Sequence, residues 1–308
     1  MKILFWGTPV FAVPSLRALD DEGFDIVGVV TQPDRPAGRG RRLRPSAVKE
    51  VALEQGFPVF TPEVPRGEDF IAEIRALEPA ISVVVAYGHI LKPAVLNVPT
   101  MGSINVHASL LPELRGAAPI NWAIARGFAR TGVTIMRMAE AMDAGAIIHQ
   151  VTEPIFDDET ASELTVRLSE LGAGALIEAL ALMSAGVAEE REQDHDAATF
   201  ASKVSREVAR IDWRLPALDV AAHTRGMDDV PGAWSPLAGA PVKLFRPSVW
   251  SEDEVEALDP GGLKTNGGPP TLPVETDEGT VILATATDGV VVRCVDGAVA
   301  FGEVQPPG

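Results

Sequence analysis

The first two-thirds of the chain alternate short apolar runs with helical patterns. This alternation is typical of an α/β fold, in which a mostly parallel sheet is covered by helices on both faces. Strands are predicted at residues 3–6, 26–30, 81–86, 104–107, 131–138 and 146–151. Apolar spacing predicts helices over residues 10–19 and 160–183, and Ser46 is predicted to begin another helix. The sequence therefore predicts a doubly wound, mostly parallel sheet.

The pattern changes near residue 205. An acidic run over residues 189–196 predicts a solvated linker or a helix end. Beyond it, short apolar runs separated by Gly and Pro predict a small all-β barrel. Its strands are predicted at residues 242–245, 281–285, 290–295 and 298–304, and a loop is predicted at residues 259–270. We therefore place one domain at residues 1–204 and a second at residues 205–308.

Composition limits the partners that the chain can have. The net charge of −17 argues against general affinity for nucleic acid but allows a local basic patch. The single cysteine, Cys294, excludes a disulfide framework and predicts a reducing, cytoplasmic environment. No apolar stretch is long enough to span a bilayer, so we expect no membrane association. Because His149, His195 and His223 lack metal-ligand spacing, no metal site is predicted.

The strand predicted at residues 104–107 places two polar side chains on one face. Side chains alternate along a strand, so Asn105 and His107 project together. An imidazole exchanges protons near neutral pH, and a carboxamide can donate to a developing oxyanion. At the carboxyl end of a strand in an open α/β sheet, this pair indicates acyl transfer. The alternative is that Asn105 caps a turn and His107 is an ordinary core residue.

Asp143 is the candidate for a third member of this site. It lies in a turn between two predicted strands, and in a doubly wound sheet both loops can end on the same edge. A carboxylate beside His107 would fix its tautomer and favour the protonated ring. His107 would then take a proton from an attacking amine. The alternative is a turn aspartate with no chemical role.

Residues 31–45 concentrate positive charge in an otherwise acidic chain. This segment contains five arginines: Arg35, Arg39, Arg41, Arg42 and Arg44. Their Pro and Gly neighbours predict neither helix nor strand. A solvated surface loop is one interpretation. Because arginine makes bidentate contacts with phosphate, we favour a polyanionic substrate.

The turn after the first predicted strand argues against a dinucleotide cofactor. Gly7-Thr8-Pro9 lacks the G-x-G-x-x-G spacing, and Pro9 removes an amide donor that a phosphate would need. An oxidoreductase is therefore disfavoured.

With these motifs the chain resembles the family of 10-formyltetrahydrofolate-dependent formyltransferases. The pair Asn105-x-His107, the loop of residues 109–112 and Asp143 are similar to the whole family, which includes enzymes that formylate glycinamide ribonucleotide and sugars. Narrower similarity, to the branch that acts on methionyl-tRNA, lies in residues 32–40, 85–88, 115–120, 131–136 and 209–213. The resemblance covers nearly the whole chain. It implies a Rossmann-like first domain and an OB-like barrel as the second.

The resemblance also implies roles for individual residues. Catalysis would use His107 as the base, Asn105 to stabilise the oxyanion and Asp143 to orient His107. The residues implied to bind the folate are Ser109, Leu110, Leu111, Pro112, Tyr87 and Gly88. The residues implied to bind the acceptor end of tRNA are Arg35, Arg39, Arg41, Arg42 and Arg44, with Arg39 foremost.

The activity so implied is transfer of a formyl group from 10-formyltetrahydrofolate to the α-amino group of methionyl initiator tRNA, for translation initiation. A model α-amine has a pKa of about 7.7–8.0, so a single base suffices without a metal. The resemblance implies a cytoplasmic monomer whose partners are the tRNA and the folate donor.

The chain departs from the family in its charge. Glu113 stands where the family often has a basic residue, and residues 207–308 contain 16 acidic and 7 basic residues, a net charge of −9. Either more of the tRNA binding falls to the arginine segment, or the protein operates in high salt. The alternative functions are a formyltransferase that acts on an amino sugar or another small amine, and a folate- or RNA-binding protein without catalysis.

Overall fold

The computed structural model describes residues 1–37, 42–237, 240–256, 279–285 and 289–306. The chain forms two compact units. The first contains Met1–Pro119, Arg130–Pro154 and Thr165–Ala201, and the second contains Ile120–Ala129, Ile155–Leu164 and Ser202–Gly308. A functional boundary between residues 204 and 205 stays a prediction. In the described part of the chain, no helix combines the length and apolar character needed to cross a membrane.

The strands, in chain order, are β1 (Lys2–Gly7), β2 (Asp25–Val30), β3 (Arg35–Ala37), β4 (Arg42–Arg44), β5 (Val59–Phe60), β6 (Ile81–Val85), β7 (Ser103–His107), β8 (Arg115–Gly116), β9 (Arg130–Arg137), β10 (Ile147–Pro154), β11 (Phe200–Ala201), β12 (Trp234–Leu237), β13 (Ala240–Ser251), β14 (Val281–Thr285), β15 (Gly289–Cys294) and β16 (Gly297–Gln305). The helices are α1 (Val13–Asp21), α2 (Ala47–Glu54), α3 (Glu68–Ala76), α4 (Pro93–Leu96), α5 (Pro119–Ala125), α6 (Ala161–Ser184), α7 (Ala217–Gly226) and α8 (Glu252–Glu256), and a 3-10 turn (Val10–Ala12) precedes α1.

The first unit is built on a seven-stranded sheet in the order β10-β9-β7-β6-β1-β2-β5. The strands from β7 to β5 are parallel, whereas β9 is antiparallel to β7 and β10 is antiparallel to β9. This order confirms the predicted doubly wound, mostly parallel sheet.

Strand β1 lies in the middle of this sheet and is buried on both faces. Leu4 and Trp6 pack on one face with Ile74 of α3. Ile3 and Phe5 alternate with them and are also fully buried. Burial on both faces explains why the parallel strands are continuous apolar runs in the sequence.

The predicted helix start at Ser46 is confirmed. Its side chain accepts a hydrogen bond from the Lys49 backbone N–H, which is the usual N-cap interaction. The helix predicted over residues 10–19 forms as the 3-10 turn followed by α1. Both helices connect strands of the first sheet, as the alternating pattern predicts.

The second unit is built on a five-stranded antiparallel sheet in the order β12-β13-β16-β15-β14. This arrangement agrees with the all-β character predicted for the C-terminal region. Phe301, Val299 and Val292 lie in its buried core. The loop predicted at residues 259–270 lies outside the described residues.

Helix α7 also packs into this core and was not predicted from the sequence. Val220 and Ala221 are among its core residues. Ala222 and Gly226 are buried as well, although they lie on the opposite side of the helix from Val220. Because small residues are buried on two sides and Leu218 is exposed, the helix lacks the single apolar stripe by which a surface helix is recognised.

Candidate active site

Strand β7 presents Asn105 and His107 on one face, as the alternation predicts. Asn105 pairs in register with Val84 of β6, and His107 pairs with Thr134 of β9. His107 is buried, with 5% of the residue's surface exposed, whereas Asn105 is half-buried. Among the described residues, no hydrogen bond occupies the Asn105 amide. It is therefore available to a bound molecule.

The imidazole of His107 is held by a backbone carbonyl. Its Nε2 lies 3.1 Å from the Leu114 carbonyl oxygen. A carbonyl only accepts, so Nε2 donates the hydrogen bond and bears the proton of the neutral ring. The lone pair of the neutral ring is then on Nδ1. This atom is where the ring can accept a further proton.

Asp143 lies against that nitrogen. The distance from Asp143 Oδ2 to His107 Nδ1 is 3.7 Å, within the range of an ion pair when the ring is protonated. The same carboxylate oxygen accepts a hydrogen bond of 2.8 Å from the Gly116 backbone N–H. Asp143 has a φ of 50°, in the left-handed region that few residues other than glycine adopt. The structure thus brings Asp143 and His107 together.

The path by which Asp143 reaches His107 differs from the one expected. We expected both loops to end on one edge of the sheet, but β9 is antiparallel to β7. Its end lies beside the start of β7, where Met138 donates a backbone hydrogen bond to the Ser103 carbonyl. The β9–β10 connection must therefore fold back over the sheet face on which His107 projects. An antiparallel strand in this position could not be inferred from the apolar pattern.

Gln193 is a buried member of this region that sequence reasoning missed. Its Nε2 donates to the carbonyls of Asp143 and Gly145, at 2.9 and 2.7 Å. Its Oε1 accepts from the Arg115 guanidinium. Gln193 lies in the acidic run that was predicted to be a solvated linker, and this prediction is wrong for Gln193, which is 5% exposed. Because its neighbours in the sequence are acidic, nothing in the sequence indicated that Gln193 is buried.

The loop of residues 109–112 is pinned to the neighbouring strands by polar side chains. The Thr134 hydroxyl donates to the Ser109 carbonyl at 2.7 Å and accepts from the Leu111 N–H at 3.1 Å. Gln150 of β10 donates to the Leu111 carbonyl at 2.9 Å. The loop is therefore held rigidly next to the strand that presents His107.

Residues of this loop differ in their accessibility to a ligand. Ser109 and Leu111 are buried, and the Ser109 hydroxyl donates to the Glu113 carbonyl at 2.6 Å. Leu110 and Pro112 are half-buried. Among the four side chains, the ones that a ligand can reach are thus Leu110 and Pro112.

Tyr87 and Gly88 follow β6 at the same edge of the sheet. The Tyr87 ring packs edge-on against Trp6 with centroids 5.3 Å apart, and burial raises the pKa of its hydroxyl to about 12. Its carbonyl accepts hydrogen bonds from Thr8 and Gln32. Gly88 is exposed with a φ of 87°, and a Cβ there would lie 2.5 Å from Gln32 Nε2. The Tyr87 ring thus lies in the core, and its carbonyl is engaged by two neighbouring side chains.

The prediction that the arginine segment contains no strand is wrong. Strands β3 and β4 pair antiparallel, with Arg35 opposite Arg44 and residue 37 opposite Arg42. Pro36 is tolerated because a two-stranded ribbon consists only of edge strands. Arg39 and Arg41 lie outside the described residues.

The pairing places the described arginines of this hairpin on one face. Arg42 and Arg44 are two residues apart on one strand, and Arg35 lies directly opposite Arg44. All three are exposed, and in the described part of the chain no carboxylate pairs with any of them. At the base of the hairpin, Asp34 forms a 2.7 Å ion pair with Lys49 of α2.

No group of three or more His, Cys, Asp or Glu side chains in the described ranges could hold a metal ion.

Comparison with known families identifies the class to which this fold and site belong. The family described as Formyl transferase matches residues 1–180, and its C-terminal domain family matches residues 203–308. The chain therefore belongs to the formyl transferase family.

Curated relatives are similar over the whole of this chain and most of their own length. The chain is 42% identical over 308 residues to the methionyl-tRNA formyltransferase of Pseudomonas putida, which covers 100% of this chain and 92% of the relative. It is also 42% identical over 308 residues to the methionyl-tRNA formyltransferase of Thiobacillus denitrificans, covering 100% of this chain and 93% of the relative.

Solved structures share the fold at lower identity. WlaRD, a sugar 3N-formyl transferase, aligns with a TM-score of 0.67 and 17% identity over 99% of this chain and 97% of that chain. HypX from Aquifex aeolicus, solved in complex with tetrahydrofolic acid, aligns with a TM-score of 0.62 and 20% identity over 100% of this chain and 44% of that one.

Proposed function

We propose that this enzyme transfers a formyl group from 10-formyltetrahydrofolate to the α-amino group of methionyl initiator tRNA. The observation that supports this most directly is the 3.7 Å approach of Asp143 Oδ2 to His107 Nδ1, beside the unoccupied amide of Asn105 on the same face. Full-length identity of 42% to methionyl-tRNA formyltransferases supports the choice of acceptor.

His107 is the proton acceptor in this mechanism. The α-amine attacks the formyl carbon, and it must lose a proton as the new C–N bond forms. Nδ1 receives that proton, because Nε2 already donates to Leu114. The resulting imidazolium faces the Asp143 carboxylate, which stabilises the positive charge. The proton is available to the folate nitrogen when its bond to the formyl carbon breaks.

Asn105 is the oxyanion donor. Charge develops on the formyl oxygen while the amine attacks, and an amide N–H that is not already engaged can stabilise it. Asn105 is half-buried, so its amide is partly shielded from water and still reachable. Its place two residues before His107 directs both groups to the same bound atoms.

For the folate donor we propose a site between the loop of residues 109–112 and the loop after β6. Leu110 and Pro112 supply accessible side chains, whereas Ser109 and Leu111 hold the loop in shape through their backbone hydrogen bonds to Thr134. Tyr87 holds the second loop in the same way, because its carbonyl accepts from Thr8 and Gln32, and Gly88 beside it is exposed.

For the tRNA we propose that the arginine hairpin contacts the phosphates of the acceptor end. Like charges directly opposite each other destabilise a strand pair, so Arg35 and Arg44 repel in the free protein. A polyanion removes that repulsion and accepts bidentate hydrogen bonds from the guanidinium groups. Arg39 and Arg41 belong to the same proposal on the basis of the family resemblance.

The C-terminal region is a weaker candidate for phosphate binding. Residues 207–308 have a net charge of −9, so general electrostatic attraction to tRNA is absent there. We propose that the arginine hairpin supplies most of the electrostatic attraction to tRNA. We propose further that residues 1–204 form the catalytic domain and residues 205–308 the tRNA-binding domain. We also propose that the enzyme is a cytoplasmic monomer.

Comparison of two acceptors with one donor tests the function. Purified protein is incubated with 10-formyltetrahydrofolate and either methionyl-tRNA or a nucleotide-linked amino sugar. We expect formylation of the tRNA alone. Formylation of the amino sugar without the tRNA would show that the acceptor is wrong.

A variant pair tests whether the site catalyses the reaction. His107→Ala should abolish turnover, whereas His149→Ala, which removes an imidazole paired with Glu178, should not. Unchanged turnover in His107→Ala would instead indicate binding without the proposed catalysis.

A further inference from the structure

The Asp143 carboxylate is useful only if its loop stays in place over His107. Asp143 adopts a left-handed backbone conformation, which costs free energy for a residue with a Cβ. Across the turn, a Cβ on Gly145 would overlap the Arg137 carbonyl oxygen, so this part of the loop is packed tightly. Contacts from outside the loop must hold such a conformation.

Gln193 supplies those contacts. One amide group donates to two carbonyls of the same short loop, 2.9 Å to Asp143 and 2.7 Å to Gly145. The carbonyl end of Gln193 accepts from Arg115 Nε at 3.1 Å and from Arg115 Nη2 at 2.6 Å. All the donors and acceptors of this side chain face protein groups.

Arg115 connects Gln193 to the Asp143 carboxylate. Its neighbour Gly116 donates the backbone hydrogen bond to Asp143 Oδ2. The Arg115 side chain is buried, with 6% exposed, and its partners are neutral: Gln193 and the Nδ1 atom of His195 at 3.0 Å. Asp143 is thus held at its backbone by Gln193 and at its carboxylate by Gly116, and Arg115 links the two.

We propose that Gln193 is a positioning residue for formyl transfer, which sets the Asp143 carboxylate against His107 Nδ1. The inference rests on the proposed function, because it assigns Gln193 to the step that uses this carboxylate. Gln193 touches neither His107 nor, in the proposed reaction, a substrate. Its effect should therefore fall on the chemical step and pass through Asp143.

Gln193→Glu removes the hydrogen-bond donor at the end of the side chain and keeps the acceptor. A carboxylate still accepts from Arg115, but it has no N–H to donate to the Asp143 and Gly145 carbonyls. A misplacement of about 1 Å at a catalytic group can cost about 100-fold in rate. We expect kcat to fall by about 10- to 100-fold, with KM for methionyl-tRNA and for 10-formyltetrahydrofolate changed less than about threefold.

A double-mutant cycle distinguishes a positioning role of Gln193 from a merely structural one. In the Asp143→Asn background, Gln193→Glu should lower kcat by less than about twofold, because its effect passes through the carboxylate already removed. Equal losses in both backgrounds, or an unchanged kcat in the single variant, would overturn the proposal.

Two control variants separate charge and stability from positioning. Gln55→Glu makes the same chemical change at an exposed residue after α2. Ser82→Ala removes a buried 3.1 Å hydrogen bond from Trp6 elsewhere in the first unit. Both should keep the wild-type kcat. If either loses as much activity as Gln193→Glu, the positioning role is wrong.

A milder variant covers the case in which Gln193→Glu does not fold. Gln193→Asn keeps the donor and acceptor groups but retracts them by one methylene, and it should show the same loss of kcat in the same cycle. Inactivity of the wild-type protein toward methionyl-tRNA would instead refute the proposed function. The two failures are therefore distinguishable.

Discussion

Asp143→Asn removes one negative charge from beside His107 Nδ1 and preserves the shape of the side chain. Asparagine can still accept the hydrogen bond from Gly116, and it tolerates the left-handed backbone that the loop requires. The change therefore isolates the electrostatic contribution of the carboxylate to the charged form of His107.

The 3.7 Å separation sets the size of this contribution. At about this distance, two unit charges attract by about 1 kcal/mol in water and by about 4 kcal/mol at an effective dielectric constant of about 20. The His107 and Asp143 side chains are 6% and 16% exposed, which favours the larger value. If His107 is protonated in the transition state, loss of this attraction lowers kcat by about 5-fold to about 1000-fold.

A single-turnover measurement of formyl transfer at saturating methionyl-tRNA and 10-formyltetrahydrofolate gives this rate. We expect a loss of at least tenfold for Asp143→Asn. Glu140→Gln, which removes an exposed carboxylate earlier in the same connection, should retain the wild-type rate. An Asp143→Asn rate within twofold of wild type would refute the ion-pair mechanism.

Three further predictions test the hairpin, the packing and the pH dependence. Arg42→Ala and Arg44→Ala should each raise KM for tRNA but not for folate. For each phosphate that is no longer neutralised, the slope of log K for tRNA against log salt should become shallower by about 0.7–0.9. A slope equal to that of the wild type would exclude phosphate binding by these arginines. Gly132→Ala should lower the free energy of unfolding in urea by about 1–3 kcal/mol, because a Cβ there overlaps a backbone oxygen of β10. Gly174 lies on α6 with open space around it, so Gly174→Ala should raise the free energy of unfolding by about 1 kcal/mol. Burial lowers the pKa of His223 below its usual value of about 6.5. As the pH is lowered, His223 is therefore protonated in the unfolded chain before it is protonated in the folded protein. The free energy of unfolding consequently falls as the pH drops below about 6.5. His223→Gln should show a smaller fall between about pH 7.5 and about pH 5.5, and an identical fall would contradict the assignment.

The site was predictable from the sequence only in part. Asn105 and His107 could be placed on one face because alternation along a strand is a local property of the backbone. The approach of Asp143 was expected for a reason that the structure does not support, since β9 is antiparallel and its connection returns over the sheet. Gln193 gave no local signal, because its acidic neighbours indicated solvent.

The order of apolar runs and turns by itself determined the class of the first sheet, and composition alone located the concentration of arginine in residues 31–45. Each of these depends on the periodicity or composition of neighbouring residues, which the backbone converts directly into local structure. Only the tertiary structure decided that α7 joins the second core and that Gln193 and Gly116 hold the Asp143 loop. These features depend on hydrogen bonds and packing between residues far apart in the chain, and local patterns do not encode which distant partners meet.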